Sequence, residues 1–429
     1  MMKHTQTEEK LIGVMSEMDI IDSHEHLPPE KERTDATQDV FTLFSEYTHY
    51  DLISAGMKED QYQSLFDYSL PLSQRWDIFE PYWQVIRYGS YARAALIAAK
   101  EVYGVDDINR SNYVKLSEQI AAENTSGIYQ RLLVEKCHIK AVITDAHRTD
   151  VDLPLVPVMR VDTIMTGIRK RDQLETLAAC VDKPVPKDLD EHLELAKCCL
   201  LKWVAQGIVG IKLAALHNTP EDRKSAELMF KKLIDGQELV PDNRWYEVLQ
   251  NYMTHKVIDM AAELDLVICT HAGVWGDFRD LDPKYLLTLA PAHPQAKFDL
   301  YHLGMPFVRD AIMIGKILPN VYLNLCWCYI ISQTQTRSGI DELLDQVPVN
   351  KILAFGGDYE RSVEKVVGHL HMAREDLAFV FGRRIDHGLM SFDQAIDILQ
   401  QWFWDNVVNL YTRLPMDQLL TNSTLKRNG

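Results

Sequence analysis

The chain has 429 residues, of which 46% are hydrophobic and 25% are charged, which is the balance of a large globular protein. Its 45 Lys and Arg against 62 Asp and Glu give a net charge of −17, and a chain this acidic repels phosphate backbones, which argues against nucleic acid as the main partner. Seven scattered cysteines, no apolar signal-peptide core and no run of about 18 apolar residues together predict a cytoplasmic protein without a disulfide framework or a membrane span.

Eight short apolar runs recur along the chain, and each ends in polar or small residues. They lie at 18–27, 139–147, 153–162, 207–216, 266–273, 297–304, 321–327 and 352–359. Such runs are typical of parallel strands buried on both faces, and the stretches between them, such as 192–206 and 247–263, have helical spacing. The alternation predicts an α/β fold, a (β/α)8 TIM barrel, as one domain over 1–429. A doubly wound open sheet is disfavoured because no glycine-rich phosphate fingerprint follows the first strand.

The spacing of these runs is uneven in two places. About 110 residues, 28–138, separate the first two strands, far more than a crossover needs, and residues 73–104 have aromatic and aliphatic side chains at helical spacing. We expect a helical insertion there. It either covers the C-terminal face of the barrel or packs only against its wall. A smaller insertion, 217–246, follows the fourth strand, and the region after 360 is predicted to be helical.

The first strand ends in the motif His24-Glu25-His26. Residues i and i+2 of a strand point to the same side, so both imidazoles are expected to reach one ion, with Asp22 deeper on that face. A lone HxH motif is weak evidence, because two surface histidines near a turn give the same pattern.

Other predicted strands also carry polar residues where burial is expected. These are Lys212 in the fourth strand, His271 and His302 at the ends of the fifth and sixth, and Asp358 at the end of the eighth. An unpaired buried charge costs several kcal/mol, and the C-terminal ends of barrel strands are where active sites form. The pattern therefore favours a divalent metal as the shared partner of these side chains.

This constellation resembles the amidohydrolase superfamily. The matching residues are His24, His26, Lys212, His271, His302 and Asp358. The strand ends THAG and FGGDY look like the amidohydrolase-2 branch of hydrolases and decarboxylases, whereas residues 76–95 and 356–375 look somewhat like uronate isomerases. The chain departs from uronate isomerases around the strand-8 aspartate. The resemblance implies a metalloenzyme, with zinc as the expected ion and manganese or iron as alternatives.

The expected roles follow from ligand chemistry. Imidazole and carboxylate suit these metals, and Asp358 can both bind the ion and accept a proton as general base. His302 is predicted to bind a second ion or to polarise the substrate. Lys212 is either a carboxylated bridge between two ions, as the resemblance implies, or an ammonium group facing substrate. A buried lysine paired with a core carboxylate is the alternative, and one or two ions remain open.

Four further residues are candidates for substrate binding. Arg148 and Arg160 follow or end the second and third strands and can bind a substrate carboxylate, although surface ion pairs explain such arginines equally well. Trp275 and Trp327 are expected to line the pocket or to pack in the core. These features predict a metal-dependent hydrolase of a small carboxylated ester, lactone or amide. The alternative is a uronate isomerase-like or decarboxylating lyase enzyme, and a homo-oligomer is possible in either case.

Overall fold

The structure is a computed structural model that describes residues 3–165, 168–213, 221–239, 244–274 and 277–421. Its centre is a sheet of eight parallel strands in sequential order. The strands are β1 (Ile20–Glu25), β2 (Ile139–Thr144), β3 (Leu155–Arg160), β4 (Gly210–Leu213), β5 (Val267–Thr270), β6 (Phe298–Leu300), β7 (Val321–Asn324) and β8 (Ile352–Leu353).

Hydrogen bonds between β1 and the chain after β8 close the barrel. The backbone N–H of Ser23 donates to the carbonyl of Phe355, that of Asp358 to His24, and that of His26 to Tyr359, each at 3.0 Å. All eight predicted strands are present, and the (β/α)8 prediction is confirmed. The open-sheet alternative is excluded.

The described helices surround this barrel and form the insertion. They are α1 (Gln6–Glu17), α2 (Glu30–Asp35), α3 (Thr48–Ser54), α4 (Glu59–Ser64), α5 (Leu72–Ile86), α6 (Ser90–Tyr103), α7 (Tyr113–Glu123), α8 (Arg171–Cys180), α9 (Leu189–Gln206), α10 (Arg223–Ile234), α11 (Arg244–Glu263), α12 (Leu286–Ala292), α13 (Val308–Ile317), α14 (Cys328–Ile331), α15 (Gln333–Gln346), α16 (Val363–Asp386), α17 (Phe392–Gln400), α18 (Asn406–Leu410) and α19 (Met416–Thr421). Within the described residues, none of these helices is both long and apolar enough to cross a bilayer.

The boundaries of α9 show how local sequence sets a helix. The side chain of Asp188 accepts a hydrogen bond from the backbone N–H of Glu191, which satisfies a free donor of the first turn. The helix ends at Gly207, whose φ of 107° lies in the left-handed region that glycine adopts without a Cβ penalty. The predicted helices 192–206 and 247–263 are both confirmed, within α9 and α11.

The insertion divides into two parts, and each matches one of the two expectations for it. Residues 28–68 border the mouth of the barrel, where they line a cavity together with residues of β2 and β3. The helices α5, α6 and α7 share one hydrophobic core with residues 40–65 and pack on the barrel wall, chiefly where α6 crosses α16. A Cβ at Gly368 of α16 would lie 2.1 Å from the carbonyl oxygen of Ala94, so the crossing is close. Within the second insertion, α10 forms a helix, and residues 217–220 and 240–243 lie outside the described residues.

Candidate metal centre and cavity

Two histidines of β1 and the aspartate that follows β8 meet at the C-terminal end of the barrel. The Nε2 atoms of His24 and His26 lie 3.3 and 3.2 Å from Oδ1 of Asp358. His24 and Asp358 are buried, whereas His26 is partly open to the cavity described below. The predicted i, i+2 geometry thus brings both imidazoles to one carboxylate.

The orientation of these imidazoles suits a metal ligand. Nδ1 of His26 donates to the backbone carbonyl of Asp145 at 2.8 Å, which directs Nε2 toward Asp358, and although burial lowers the pKa of His26, its contacts with Asp358 and Asp145 raise that pKa overall. Burial lowers the pKa of His24 to about 4, so this imidazole is neutral. Burial alone would raise the pKa of Asp358, but its attraction to His24 and its hydrogen bonds from both histidines hold that pKa well below the usual value.

Two glycines allow the strand-8 residues to approach β1 this closely. A Cβ at Gly356 would lie 2.5 Å from Cβ of Cys326, and one at Gly357 would lie 1.9 Å from the carboxylate of Glu25. Asp358 itself has a φ of 65°, in the left-handed region that aspartate adopts more readily than most residues with a Cβ. The sequence FGGDY therefore combines close approach with a turn that aims Asp358 at β1.

A divalent ion fits this group. One potential ligand atom from each of His24, His26 and Asp358 lies within 4.8 Å of the others, and no other such cluster occurs within the described residues. Two imidazoles and a carboxylate are a donor set that zinc, manganese or iron accepts. Three protein ligands also leave coordination positions for substrate or water, as catalytic sites require.

His271 and His302 lie beside this group and face each other. Nδ1 of His271 is 3.2 Å from Nε2 of His302, which in turn lies 3.7 Å from Oδ2 of Asp358. Burial lowers the pKa of His271 to about 3 and that of His302 well below its usual value, so both rings are neutral. The structure brings both predicted residues to the site, although they stand outside the three-residue cluster.

Lys212 of β4 is buried below the site. Its Nζ lies 3.8 Å above the ring centroid of Tyr301, and no described acceptor forms a hydrogen bond with it. Burial lowers the pKa of this lysine. The alternative of a lysine paired with a core carboxylate therefore finds no hydrogen-bonded partner among the described side chains.

A large polar cavity, of about 1010 Å³, opens above His26. Its lining combines residues 28–68 of the insertion with the ends of β2 and β3 and the loop after β8. The charged and aromatic lining residues include Arg33, Glu46, Tyr47, His49, Tyr50, Tyr62, Tyr68, Asp145, His147, Arg148, Arg160 and Arg361. A cavity of this size holds a small organic substrate next to the candidate metal centre.

Residues 179–365 match the sequence model of the Amidohydrolase family, a span that runs from before β4 to beyond Asp358. The amidohydrolase resemblance is confirmed. A curated relative, Protein fluG of Emericella nidulans, is 27% identical over 131 residues, which cover 30% of this chain but only 15% of that protein.

Three solved structures share the amidohydrolase-like barrel over almost the whole chain. A uronate isomerase from Thermotoga maritima has a TM-score of 0.79 and covers 95% of this chain and 98% of its own. A glucuronate isomerase from Caulobacter crescentus has a TM-score of 0.76, and the match covers 95% of this chain and 94% of that one. A protein described as a metal-dependent hydrolase from Lactobacillus casei has a TM-score of 0.67, and the match covers 96% of this chain and 98% of that one. Each is 16% identical, which supports a common fold.

The four predicted substrate-binding residues have different surroundings in the structure. Arg160 lines the cavity, and its Nε donates to Oδ2 of Asp145 at 2.8 Å. Arg148 also lines the cavity but forms ion pairs with Glu32 and Asp150. Trp327 is buried 5.1 Å from the ring of His302. Trp275 lies outside the described residues.

Two residues at the site escaped the sequence analysis. Tyr47 of the insertion donates its hydroxyl to Oδ1 of Asp358 at 2.9 Å, and its ring lies 4.3 Å from that of Trp327. Arg361 lines the cavity three residues after Asp358, and no described carboxylate forms an ion pair with it. The position of Arg361 just beyond a barrel strand was a usable signal, whereas nothing in the sequence around Tyr47 indicates its contact.

Proposed function

We propose that the chain is a metal-dependent hydrolase that acts on a small carboxylated ester, lactone or amide. The observation that carries this proposal is the meeting of His24, His26 and Asp358 at the base of a large polar cavity. The match to the Amidohydrolase family over residues 179–365 supports the same class of chemistry.

Asp358 has the geometry of a general base. Its Oδ1 accepts the hydroxyl of Tyr47 and faces both β1 histidines, so Oδ2 is the oxygen that can take a proton from water. When bound, the divalent ion would polarise a substrate carbonyl and lower the pKa of water toward about 7. His24 and His26 would hold the ion, and Asp358 would keep the proton taken from water for transfer to the leaving group.

The cavity favours an anionic substrate despite the net charge of −17. The guanidinium of Arg361 forms no ion pair with a described carboxylate, and Arg160 uses only its Nε in the bond to Asp145 among the described residues. A guanidinium with free N–H groups binds a carboxylate in two parallel hydrogen bonds. These two arginines are therefore our candidates for the substrate carboxylate, with Arg148 as a weaker one because of its two ion pairs.

Proton counting at His271 and His302 supports a second, conditional ion. Nε2 of His271 faces the carbonyl of Val274 at 3.1 Å, and Nδ1 of His302 faces that of Cys326 at 3.1 Å. The third contact joins Nδ1 of His271 to Nε2 of His302. Each of the three contacts needs one N–H group as donor, but two neutral imidazoles have only two N–H groups between them. A cation between the rings would remove the deficit, with Oδ2 of Asp358 as a third ligand.

A uronate isomerase-like activity is the second candidate. It is favoured by the likeness of the fold to two isomerases across 94–98% of their chains and by the polar lining of the cavity, which suits a hydroxylated acid. The same Asp358 would then move a proton between substrate carbons instead of activating water.

One experiment separates the two activities. The zinc- or manganese-loaded enzyme is assayed against a panel of carboxylated lactones, esters and N-acyl amino acids, and in parallel against hexuronates, with Asp358→Asn as the matched inactive control. Turnover of a panel ester, lactone or amide that Asp358→Asn lacks would support hydrolysis. Turnover of hexuronates alone would overturn hydrolysis in favour of isomerisation.

A further inference from the structure

The loop that follows β8 has an unusual backbone arrangement. We call residues 357–361 the strand-8 loop, and all five of its backbone N–H groups meet an acceptor. The first three acceptors belong to β1. Gly357 donates to Oδ1 of Asp22 at 3.3 Å, Asp358 to the carbonyl of His24 at 3.0 Å, and Tyr359 to the carboxylate of Glu25.

The last two N–H groups of the strand-8 loop donate to a side chain of the insertion. Oε1 of Glu46 accepts from Glu360 at 3.1 Å and also from Arg361. Residues of β1 thus accept the first three N–H groups of the loop and Glu46 accepts the last two, although Glu46 lies 311 residues or more before the loop in the chain. Two donors on one carboxylate oxygen form charge-assisted hydrogen bonds, which are stronger than neutral ones.

The neighbours of Glu46 fasten it to the same region. Nζ of Lys365, a buried residue of α16, donates to the carbonyl of Ser45 at 3.0 Å and lies 3.8 Å from Oε2 of Glu46. On the other side, Tyr47 donates to Asp358. Three consecutive residues of the insertion thus contact the strand-8 loop or the first turn of α16.

The backbone conformation of Glu46 does not favour glutamate, so the contacts of its carboxylate are the reason for glutamate at this position. Its φ is 64°, in the left-handed region where glycine or asparagine is usual and other residues are strained. Glutamate is a poor choice for this conformation. Its carboxylate, which reaches two N–H groups and a buried lysine, accounts for a residue that the backbone disfavours.

We propose that Glu46 is a positioning residue that fixes the strand-8 loop, so that Asp358 meets the two β1 histidines and Arg361 faces the cavity. The geometry is independent of the reaction. Its consequence for metal binding and turnover rests on the proposed function.

The test uses two substitutions of Glu46, one that removes the contact with the loop and one that keeps a neutral acceptor for it. Glu46→Asn tolerates the left-handed backbone but is too short to reach the loop, and Glu46→Gln keeps the length and a neutral acceptor. Glu101→Gln is the matched control, because Glu101 belongs to the same insertion and forms only a peripheral ion pair with Lys136 among the described residues. Amide hydrogen exchange of peptides covering 356–362, zinc affinity and melting temperature are measured for the full chain.

In Glu46→Asn we expect the amides of Glu360 and Arg361 to exchange at least about tenfold faster, with zinc affinity lowered by a similar factor, while the melting temperature changes little. Glu46→Gln should restore most of both properties, which a general loss of stability would not do. Where a substrate is known, kcat should fall more than KM rises. Glu101→Gln should match the wild type throughout.

Unchanged loop exchange in Glu46→Asn would overturn the proposal. If Glu46→Asn does not fold, a third variant, Glu46→Gly, decides, because glycine suits the left-handed backbone and has no side-chain acceptor, and unchanged exchange at Glu360 and Arg361 in that variant would reject the positioning role. If the wild type itself binds no zinc, the proposed function fails, while the exchange measurement still tests the contact of Glu46 with the loop.

Discussion

The hydroxyl of Tyr47 and Oδ1 of Asp358 are 2.9 Å apart, and this hydrogen bond joins the insertion to the strand-8 loop, which carries the candidate general base. Tyr47 is buried, and the attraction of its ring to Trp327 holds it in place. The insertion therefore contributes directly to the environment of the carboxylate that we propose as a metal ligand.

Substitution of Tyr47 by Phe should lower turnover by about 10- to 100-fold, because a hydrogen bond to a charged group contributes about 1.5–3 kcal/mol. Metal content should stay stoichiometric, since His24, His26 and Asp358 are all retained. Steady-state kinetics with elemental analysis measure both. Tyr82→Phe is the control, because Tyr82 of α5 bonds to Gln61 away from the site. Equal turnover in the two variants would show that the Tyr47 hydroxyl is dispensable.

Replacing both His24 and His26 by Ala should abolish stoichiometric metal, because only Asp358 of the three clustered ligands would remain. The fold should persist, because neither histidine belongs to the hydrophobic core of the barrel. Elemental analysis of the purified variant makes the measurement, and His371→Ala, on the partly exposed side of α16, is the control. Full metal content in the double variant would refute the assignment of the centre.

Asp358→Asn keeps the shape and one oxygen of the side chain but removes the base. Turnover should fall by about 10²–10⁴-fold, the usual contribution of a placed general base, while weaker metal binding survives. The pH–rate profile should lose or shift its acidic limb. Near-normal turnover would mean that Asp358 acts as a ligand alone and that another residue takes the proton.

The facing imidazoles of His271 and His302 predict a second ion of lower affinity. The wild type should bind one ion tightly and a second only at raised metal concentration. His302→Asn should lose the second while keeping the first. Anomalous diffraction and intact mass in the presence of bicarbonate also test Lys212, because a carboxylated lysine gains mass. One ion beside an unmodified Lys212 under all conditions would leave a mononuclear site.

His192 should make stability depend on pH. Burial lowers its pKa to about 4 from an unfolded value near 6.5, and its ring stacks on Phe230 at 5.0 Å. Because the folded pKa is depressed, the stability contribution of the neutral imidazole is complete above pH 6.5 and is lost as the pH falls toward 4, by up to about 3 kcal/mol. His192→Phe should flatten this part of the curve of unfolding free energy against pH. Parallel curves for the two proteins would contradict the expectation.

The barrel and the residues at its strand ends could be predicted because both follow short-range patterns. Buried parallel strands give continuous apolar runs, and a histidine or aspartate at the end of such a run stands out. His24, His26, His271, His302 and Asp358 were all found in this way, and the structure brings them to one end of the barrel.

Glu46 and Tyr47 could not be predicted by the same means. They belong to an irregular stretch between Val40–Phe44 and α3, where no periodicity indicates direction, and their partners lie more than 300 residues away. Arg148, in contrast, was selected from the sequence, but its surroundings could not be predicted. Its position after a strand suggested substrate binding, but nearby carboxylates of Glu32 and Asp150 form ion pairs with it.

The close crossing of α6 and α16 at Gly368 fixes the helices α5, α6 and α7 of the insertion against the barrel wall. Any larger residue at Gly368 would collide with the backbone of Ala94, and Tyr103 and Arg33 bond to Glu364 beneath the crossing. The α5–α7 block is therefore joined to the longest helix of the barrel wall and should melt with it. New substrate preferences would then come from side chains that line the cavity, many of them in residues 28–68, and not from movement of the α5–α7 block.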